Sequence, residues 1–346
     1  MTGEPEGRPE SVSERPRPRQ QQGRWGAVDI PDQTGRVFVV TGANGGLGLA
    51  TTRALVRRGG HVVLAVRDEE KGRRAADAVV AGLIAESADT PDTAWDVTDT
   101  RALEARLEVR RLDLADLDAV RAFARGLRAD RPRLDVLVNN AGVMAPPRTL
   151  SAQGHELQFA ANHLGHFALT GLLLGALAAA PDPRVVTVSS VNHRKGRIRF
   201  DDLDGARAYA PMAFYDQSKF ANAVHARELH RRLVAAGSPV RSLLAHPGYA
   251  ATGLQTGAPT GLVRLLFGRI LRPLAQTAAD GALPQLYAAT APDVRGGEFL
   301  GPDGRGELRG APVRVPLAPA AADPGTGGRL WALSEELTGV RYGLPA

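Results

Sequence analysis

Arg36-Val37-Phe38-Val39-Val40 runs directly into Thr41-Gly42-Ala43-Asn44-Gly45-Gly46-Leu47-Gly48, and the stretch Leu49 to Arg58 follows. The first five residues form a short apolar run suited to a buried parallel strand. Leu49 to Arg58 has the pattern of a helix, stopped by Gly59-Gly60. A glycine-rich turn thus joins a strand to a helix. Gly42, Gly46 and Gly48 let the backbone turn tightly and approach a pyrophosphate, which a helix N-terminus can bind. The spacing is G-x-x-x-G-x-G, not the G-x-G-x-x-G of the common dinucleotide fingerprint. A glycine-rich turn alone could be merely structural; its strand–turn–helix context favours nucleotide binding.

Outward from this unit the pattern alternates. His61 to Val66 is a second strand, ending in Arg67-Asp68. An acid near this point would hold a ribose 2′-hydroxyl, as in an NAD site, whereas Arg67 can pair with a 2′-phosphate through a charge-assisted fork. The arginine favours NADP; Asp68, one residue later, argues for NAD; an exposed turn is the bland alternative. Glu69 to about Gly82 is a helix. Residues 83–106, with Pro91 and Trp95, interrupt the alternation and are expected to be a surface insertion with a short helix from Thr100. Strands follow at Leu107–Leu112, Leu134–Val138, Arg184–Val188 and Val240–Leu244, with helices at Asp116–Leu127, Gly154–Ala180 and from Tyr215 to about Ala236. The expected fold is α/β, a single-domain, Rossmann-type doubly wound parallel sheet with helices on both faces. Gly296 to Pro302 suggests a final strand and turn.

Tyr215-Asp216-Gln217-Ser218-Lys219 places a phenol and an ammonium four residues apart on one helical face, about 6 Å apart along the axis. A nearby positive charge favours the phenolate and prepares a tyrosine for proton transfer. The same pair occurs on many solvated helices, so the pair carries weight only with the rest of the chain.

Composition sets bounds. There is no cysteine among the 346 residues, which removes disulfides, thiolate metal sites and cysteine nucleophiles and fits a reducing, cytoplasmic setting. The net charge is +6, with arginines interspersed among acids and no basic run interleaved with aromatics, so nucleic-acid binding is not expected. No secretory h-region appears in the first thirty residues. The apolar run Leu164 to Ala180 is short for a membrane span and is interrupted by glycines, so it is expected to be a buried helix. Residues 1–30, rich in Pro, Arg, Glu and Gln, are expected to be a disordered tail. His163, His166, His193 and His246 are dispersed without a compact ligand pattern, and no metal is expected.

The motifs Thr41-Gly-x-x-x-Gly-x-Gly48, Asn139-Asn-Ala-Gly142, Ser190, Tyr215-x-x-x-Lys219 and Pro247-Gly248 together resemble the short-chain dehydrogenase/reductase family, over about Gly35 to Gly339. Ala65-Val66-Arg67-Asp68, Asn162-His163-Leu164-Gly165-His166-Phe167 and the long interval from Ser190 to Tyr215 are similar to its retinol-dehydrogenase-like branch, which includes many bacterial oxidoreductases. The sequence departs from the vertebrate enzymes of that branch in lacking their N-terminal membrane anchor and in having the 83–106 stretch. Its lack of cysteine separates it from the related light-dependent protochlorophyllide reductases.

The resemblance implies an enzyme that moves hydride between a nicotinamide and a carbonyl or alcohol carbon, with NADP (NADPH) preferred and NAD as the alternative. It implies Tyr215 as general acid/base, Lys219 as the group that lowers the tyrosine pKa and holds the nicotinamide ribose, Ser190 as the donor to the substrate oxygen, and Asn162 as the holder of a water linking Lys219 to solvent. Gly42, Asn44, Gly46, Leu47 and Gly48 would line the pyrophosphate turn. Asp113 and the adjacent Leu114 would lie on the adenine side, and Asn140, Ala141 and Gly142 near the adenosine ribose and nicotinamide. Pro247, Gly248 and Thr252 would reach the carboxamide or a phosphate. Ser189 competes with Ser190 on residue chemistry alone. Residues 250–272, with apolar side chains interspersed with Arg264 and Arg269 between Gly261 and Leu271, are expected to be a lid over an apolar pocket. A lipophilic ketone or aldehyde is the expected substrate class. The expected partners are that small-molecule carbonyl or alcohol and, as an open alternative, a second copy of the chain in a homo-oligomer. A dinucleotide-sensing regulator without turnover and a sugar-nucleotide epimerase are the competing readings; the glycine spacing and the Asn-Asn-Ala-Gly segment argue against the epimerase.

Overall fold

A computed structural model describes residues 24–89, 99–250 and 276–345. Eight strands form one sheet: β1 (Val37–Thr41), β2 (His61–Val66), β3 (Leu107–Arg111), β4 (Val136–Asn139), β5 (Arg184–Val188), β6 (Arg241–Ala245), β7 (Phe299–Pro302) and β8 (Pro312–Arg314). Their order across the sheet is β3-β2-β1-β4-β5-β6-β7-β8. All neighbours run parallel except β7 and β8. The strand order reverses between β1 and β4, and at such a switch point an open α/β sheet binds its ligand beyond the carboxyl ends of the strands.

The described helices are α1 (Gly46–Arg57), α2 (Glu69–Asp89), α3 (Thr100–Glu104), α4 (Leu117–Asp130), α5 (Leu157–Phe159), α6 (Gly165–Ala178), α7 (Pro211–Ala235), α8 (Ala278–Thr290) and α9 (Pro324–Thr338). They cover both faces of the sheet, because its strands are apolar on both. In β1 and β2, Phe38, Val40, Val62, Leu64 and Val66 pack with Leu55 of α1, Val80 of α2 and Leu286 of α8. The alternate residues Val39, Val63 and Ala65 pack with Val120 of α4, Phe167 of α6 and Leu229 of α7. Each fully buried Val or Leu contributes about 1.5–3 kcal/mol, so these two cores hold the sheet centre rigid beneath its loops. The single-domain α/β expectation is met.

Several boundaries differ from the sequence expectation. Ordered packing begins before residue 30: Trp25 meets Tyr287 edge-on at 5.1 Å, and Ile30 is buried. Helix α2 runs on to Asp89 because Leu83 continues the buried face of Val79 and Val80. Thr100–Glu104 is helical, capped by the Asp99 carboxylate. The long helical region is divided by a π-helical turn at Ala160–Leu164. Strand β8 left no pattern in the sequence, since it has three residues and two of them are exposed. Helix α6 is buried on nearly all sides, and no helix among the described residues is long and apolar enough to cross a membrane. The remainder of the expected tail (1–23), the middle of the expected insertion (90–98), Thr252 and all of the expected lid except Ala250 lie outside the described residues.

Candidate active site

The loop between β1 and α1 is built from its glycines. Gly42 and Gly46 have φ of +67° and +51°, a region that side chains other than glycine disfavour. A Cβ on Gly48 would lie 2.4 Å from the Gly42 carbonyl oxygen and 2.7 Å from Asn140 Nδ2, so α1 can pack against the loop only with glycine there. Thr41 ties this loop to the end of β4. Its Oγ1 accepts the N–H groups of Asn140 and Ala141, each at 2.9 Å, and Asn140 Nδ2 donates to the Thr41 carbonyl at 2.8 Å.

His166 extends the tie. Its Nδ1 lies 3.0 Å from the Asn162 carbonyl, which can only accept, so Nδ1 carries the proton and Nε2 accepts from Thr41 Oγ1 at 2.9 Å. Burial pushes the imidazole pKa down to about 4, which agrees with a neutral ring. The cofactor-type loop, the Asn140–Gly142 turn and the π turn thus share one hydrogen-bond chain. Thr41→Val should destabilise the chain by about 3 kcal/mol, because two backbone donors and one imidazole acceptor lose their partner. Chemical denaturation measures this; a loss below about 0.5 kcal/mol would contradict the shared chain.

Asn162 sits in the π turn, a feature that recurs at functional sites. Its Oδ1 accepts the Val143 N–H at 2.7 Å, and its Nδ2 donates to the Val143 carbonyl and to Ser218 Oγ, both at 2.9 Å. Ser218 Oγ in turn donates to the Tyr215 carbonyl at 2.8 Å. The amide is therefore held between the end of β4 and the first turns of α7. A Cβ on Gly142 would come within 3.3 Å of Asn162 Oδ1 and 3.4 Å of Lys219 Nζ, so both groups approach the Gly142 backbone closely.

The two serines after β5 separate cleanly. Ser189 is buried and donates to the Lys219 carbonyl at 2.8 Å, fastening α7 to β5. Ser190 is half-buried, faces a cleft and caps the short 3-10 turn Val191–Arg194 by accepting the Asn192 N–H at 3.2 Å. His193 supports it from below by donating from Nδ1 to the Ser190 carbonyl at 2.8 Å while its Nε2 accepts the Ala318 N–H.

Tyr215 and Lys219 lie one turn apart on α7, with Lys219 Nζ 5.9 Å from the centre of the tyrosine ring. Burial pushes the Tyr215 hydroxyl up to about 12; the Ser190 hydroxyl acts in the lowering direction, and Asp216 adds to the rise. The net direction is thus upward and not the lowering expected from the sequence, because burial outweighs the Ser190 hydrogen bond. Burial also brings Lys219 down to about 8, and its Nζ donates to the Val188 carbonyl at 3.2 Å.

Three adjoining clefts follow the carboxyl ends of the strands. The first, of about 220 Å³, is lined by Asn44, Arg67, Lys71, Asp113 and Leu114. The second, of about 450 Å³, shares Gly42, Asn44 and Arg67 with it and runs past Gly46 and Leu47 to Asn140, Ala141 and Gly142. The third, of about 310 Å³, shares Leu47, Asn140 and Gly142 with the second and holds Ser190, Tyr215, Lys219, Pro247 and Gly248. Lys71 was not foreseen; only its position one helical turn after Arg67 could have signalled it. Asp68 also borders the first cleft; its carboxylate accepts the Lys71 N–H at 3.1 Å and pairs with Lys71 Nζ at 3.3 Å, the work of a helix cap. Asp113 Oδ1 accepts the Ala115 N–H at 2.9 Å. Among the described residues, no three His, Asp or Glu side chains gather as metal ligands would.

The short chain dehydrogenase family model matches residues 36–108 and 83–261. The mouse protein named retinol dehydrogenase 14 is 38% identical over 328 residues, covering 94% of this chain and 91% of that protein. The mouse polyprenol dehydrogenase is 40% identical over 321 residues, covering 91% and 87%. A crystal structure of an uncharacterized protein from Mycobacterium paratuberculosis is 42% identical with a TM-score of 0.72, covering 94% of this chain and all of that one. On this combination of groove, motifs and relatives, the chain belongs to the short-chain dehydrogenase/reductase family, in its retinol-dehydrogenase-like branch, and is an NAD(P)-dependent oxidoreductase acting on CH–OH and C=O groups.

Proposed function

We propose that the chain interconverts a carbonyl and an alcohol on a lipophilic small molecule, using NADP(H), with Tyr215 as the general acid/base. The observation that carries this reading is the convergence of Ser190, Tyr215 and Lys219 on one cleft that continues into the glycine loop. The groove fits a dinucleotide. The Gly48 position leaves no room for a side chain between loop and helix, Gly42 and Gly46 take positive-φ conformations that let the loop turn tightly, and Arg67, just after β2, makes no ion pair to any described carboxylate. When bound, the nicotinamide supplies or accepts the hydride.

The chain's own residues do the remaining work. Ser190 donates to the substrate oxygen, where negative charge develops. Tyr215, which holds its proton at neutral pH, gives that proton to the oxygen in reduction and takes it back in oxidation. Lys219 holds the nicotinamide ribose hydroxyls and sets the field around the phenol. Asn162 Oδ1 keeps a lone pair beyond its bond to Val143, which suits a water between it and Lys219. Pro247 and Gly248 border the nicotinamide end, and Asp113 with Leu114 the adenine end. Met144, Val191 and Met212 give the third cleft an apolar wall, consistent with an elongated apolar substrate such as a retinoid or a polyprenoid.

Arg67 in the first cleft favours NADP(H) over NAD(H), because its guanidinium matches a 2′-phosphate while the neighbouring Asp68 is already paired with Lys71. Arg67→Ala should raise the Kd for NADPH by about tenfold and leave that for NADH nearly unchanged. Calorimetric titration of both cofactors measures this, and an equal loss for both would remove Arg67 from the 2′-phosphate.

A further inference from the structure

Behind the third cleft, one carboxylate joins two loops that are far apart in sequence. Glu307 Oε1 and Oε2 both accept from Arg194 Nη2 at 2.7 Å, and Arg194 ends the 3-10 turn that Ser190 begins. Glu307 Oε2 also lies 3.0 Å from His246 Nε2. His246 is fully buried, and its Nδ1 accepts the Gly248 N–H at 3.2 Å, so Nε2 carries the ring proton and donates to Glu307. The resulting path runs Gly248 to His246 to Glu307 to Arg194, from one rim of the cleft to the other.

The backbone around Glu307 is shaped for this contact. Glu307 has a φ of +55°, which a residue with a side chain rarely takes, and only one other described non-glycine residue shares a positive φ. A Cβ on Gly248 would lie 2.4 Å from the Leu308 carbonyl oxygen and 2.9 Å from that of Glu307, and the Tyr249 N–H donates to Leu308 at 2.7 Å. Gly301 leaves room for the His246 ring, where a Cβ would overlap Nε2. Phe299 of β7 packs against both His193 and His246, at 5.2 and 5.1 Å between ring centres. Arg194, His246, Phe299 and Glu307 are not among the described residues that line the cleft, so they act through the two loops that do, the Ser190 turn on one side and Pro247 to Tyr249 on the other.

We propose that Glu307 is a positioning residue that locks the Ser190 turn to the Pro247–Gly248 loop, fixing the width of the nicotinamide and substrate end of the groove. It rests on the dinucleotide reading above. The lock acts on the nicotinamide half of the cofactor and leaves the adenine half, held by Gly42, Asp113 and Arg67, untouched.

The experiment titrates NADPH and 2′-phospho-ADP-ribose, which lacks only the nicotinamide, into the full chain by calorimetry. The variants are Glu307→Ala, Glu307→Gln and Arg194→Ala. Glu307→Ala should raise the Kd of NADPH by about tenfold and change that of the nicotinamide-free ligand by less than about twofold. Glu307→Gln, which keeps one acceptor oxygen, should fall between the parent and Glu307→Ala. Arg194 is one-third exposed, so its truncation does not endanger the fold, and Arg194→Ala should shift NADPH in the same direction. The double variant should be no weaker than Glu307→Ala, since both break one path. Equal weakening of both ligands, or NADPH affinity unchanged in both single alanine variants, would overturn the proposal. A parent chain that binds neither ligand would instead overturn the dinucleotide reading, and this proposal with it.

Discussion

Tyr215→Phe should lower turnover by about a thousandfold while leaving NADPH affinity nearly unchanged. Among the described residues of the third cleft, the phenol is the proton that Ser190 and Lys219 flank, and it stays on the oxygen at neutral pH because burial pushes its pKa up to about 12. Removing it leaves the carbonyl oxygen with the Ser190 donor but no acid. The ring remains, so the packing of α7 remains. A residual rate from hydride positioning alone is expected, as for other sites where one proton-transfer group is deleted. Steady-state rates with a ketone and aldehyde panel, paired with calorimetric NADPH binding, separate the two effects. A variant with parental turnover would remove Tyr215 from the chemistry, and one with lost cofactor affinity would make it a binding residue.

The second large effect belongs to Lys219. Lys219→Met should lower kcat/KM for reduction by about a hundredfold, through loss of both a ribose contact and the local positive field. The pH profile gives a sharper test. Burial lowers the ammonium pKa to about 8, so the charged form prevails below that value and is lost as pH rises through it. The tyrosine keeps its proton to a much higher pH. Reduction should therefore decline above about pH 8, and the decline should follow Lys219. Lys219→Arg, which stays charged throughout, should move that limb upward or abolish it. A parental limb in Lys219→Arg would assign the titration to another group.

Much of the fold was legible because its signals are local. The apolar run before Thr41, the glycines after it and the helix that follows fix a strand, a turn and a helix within about twenty residues, and strands β2 and β5 have the bounds that their apolar runs suggest. Tyr215 and Lys219 were legible as a pair because four residues on a helix are neighbours whatever the tertiary structure. What escaped was decided by contacts distant in sequence. Ser189 and Ser190 are chemically equal in the sequence; only the Lys219 carbonyl, thirty positions on, engages the buried Ser189 hydroxyl and leaves Ser190 the more open of the two. Asp68 reads as a ribose ligand in the sequence, which gives no sign of its cap and ion pair to Lys71. The four histidines that raised a metal question separate into different tasks: His166 bridges Thr41 and Asn162, His163 pairs with Ser334, His193 holds Ser190, and His246 meets Glu307. No spacing rule links position 246 to position 307. The π turn at Asn162 was hidden for a related reason. A helical pattern does not reveal one extra residue per turn, and the asparagine made sense there only once Val143 and Ser218 had taken its amide.

The direct test of hydride transfer uses NADPH carrying deuterium at the nicotinamide C4 position, incubated with the purified chain and a retinal or polyprenal aldehyde, with the product analysed by mass spectrometry. The predicted result is an alcohol with deuterium on the former carbonyl carbon, formed by the parent chain and about a thousandfold more slowly by Tyr215→Phe. Tight NADPH binding with no labelled alcohol from these or a wider panel of ketones, aldehydes and quinones would contradict it, and would favour a chain that senses the dinucleotide without turning it over.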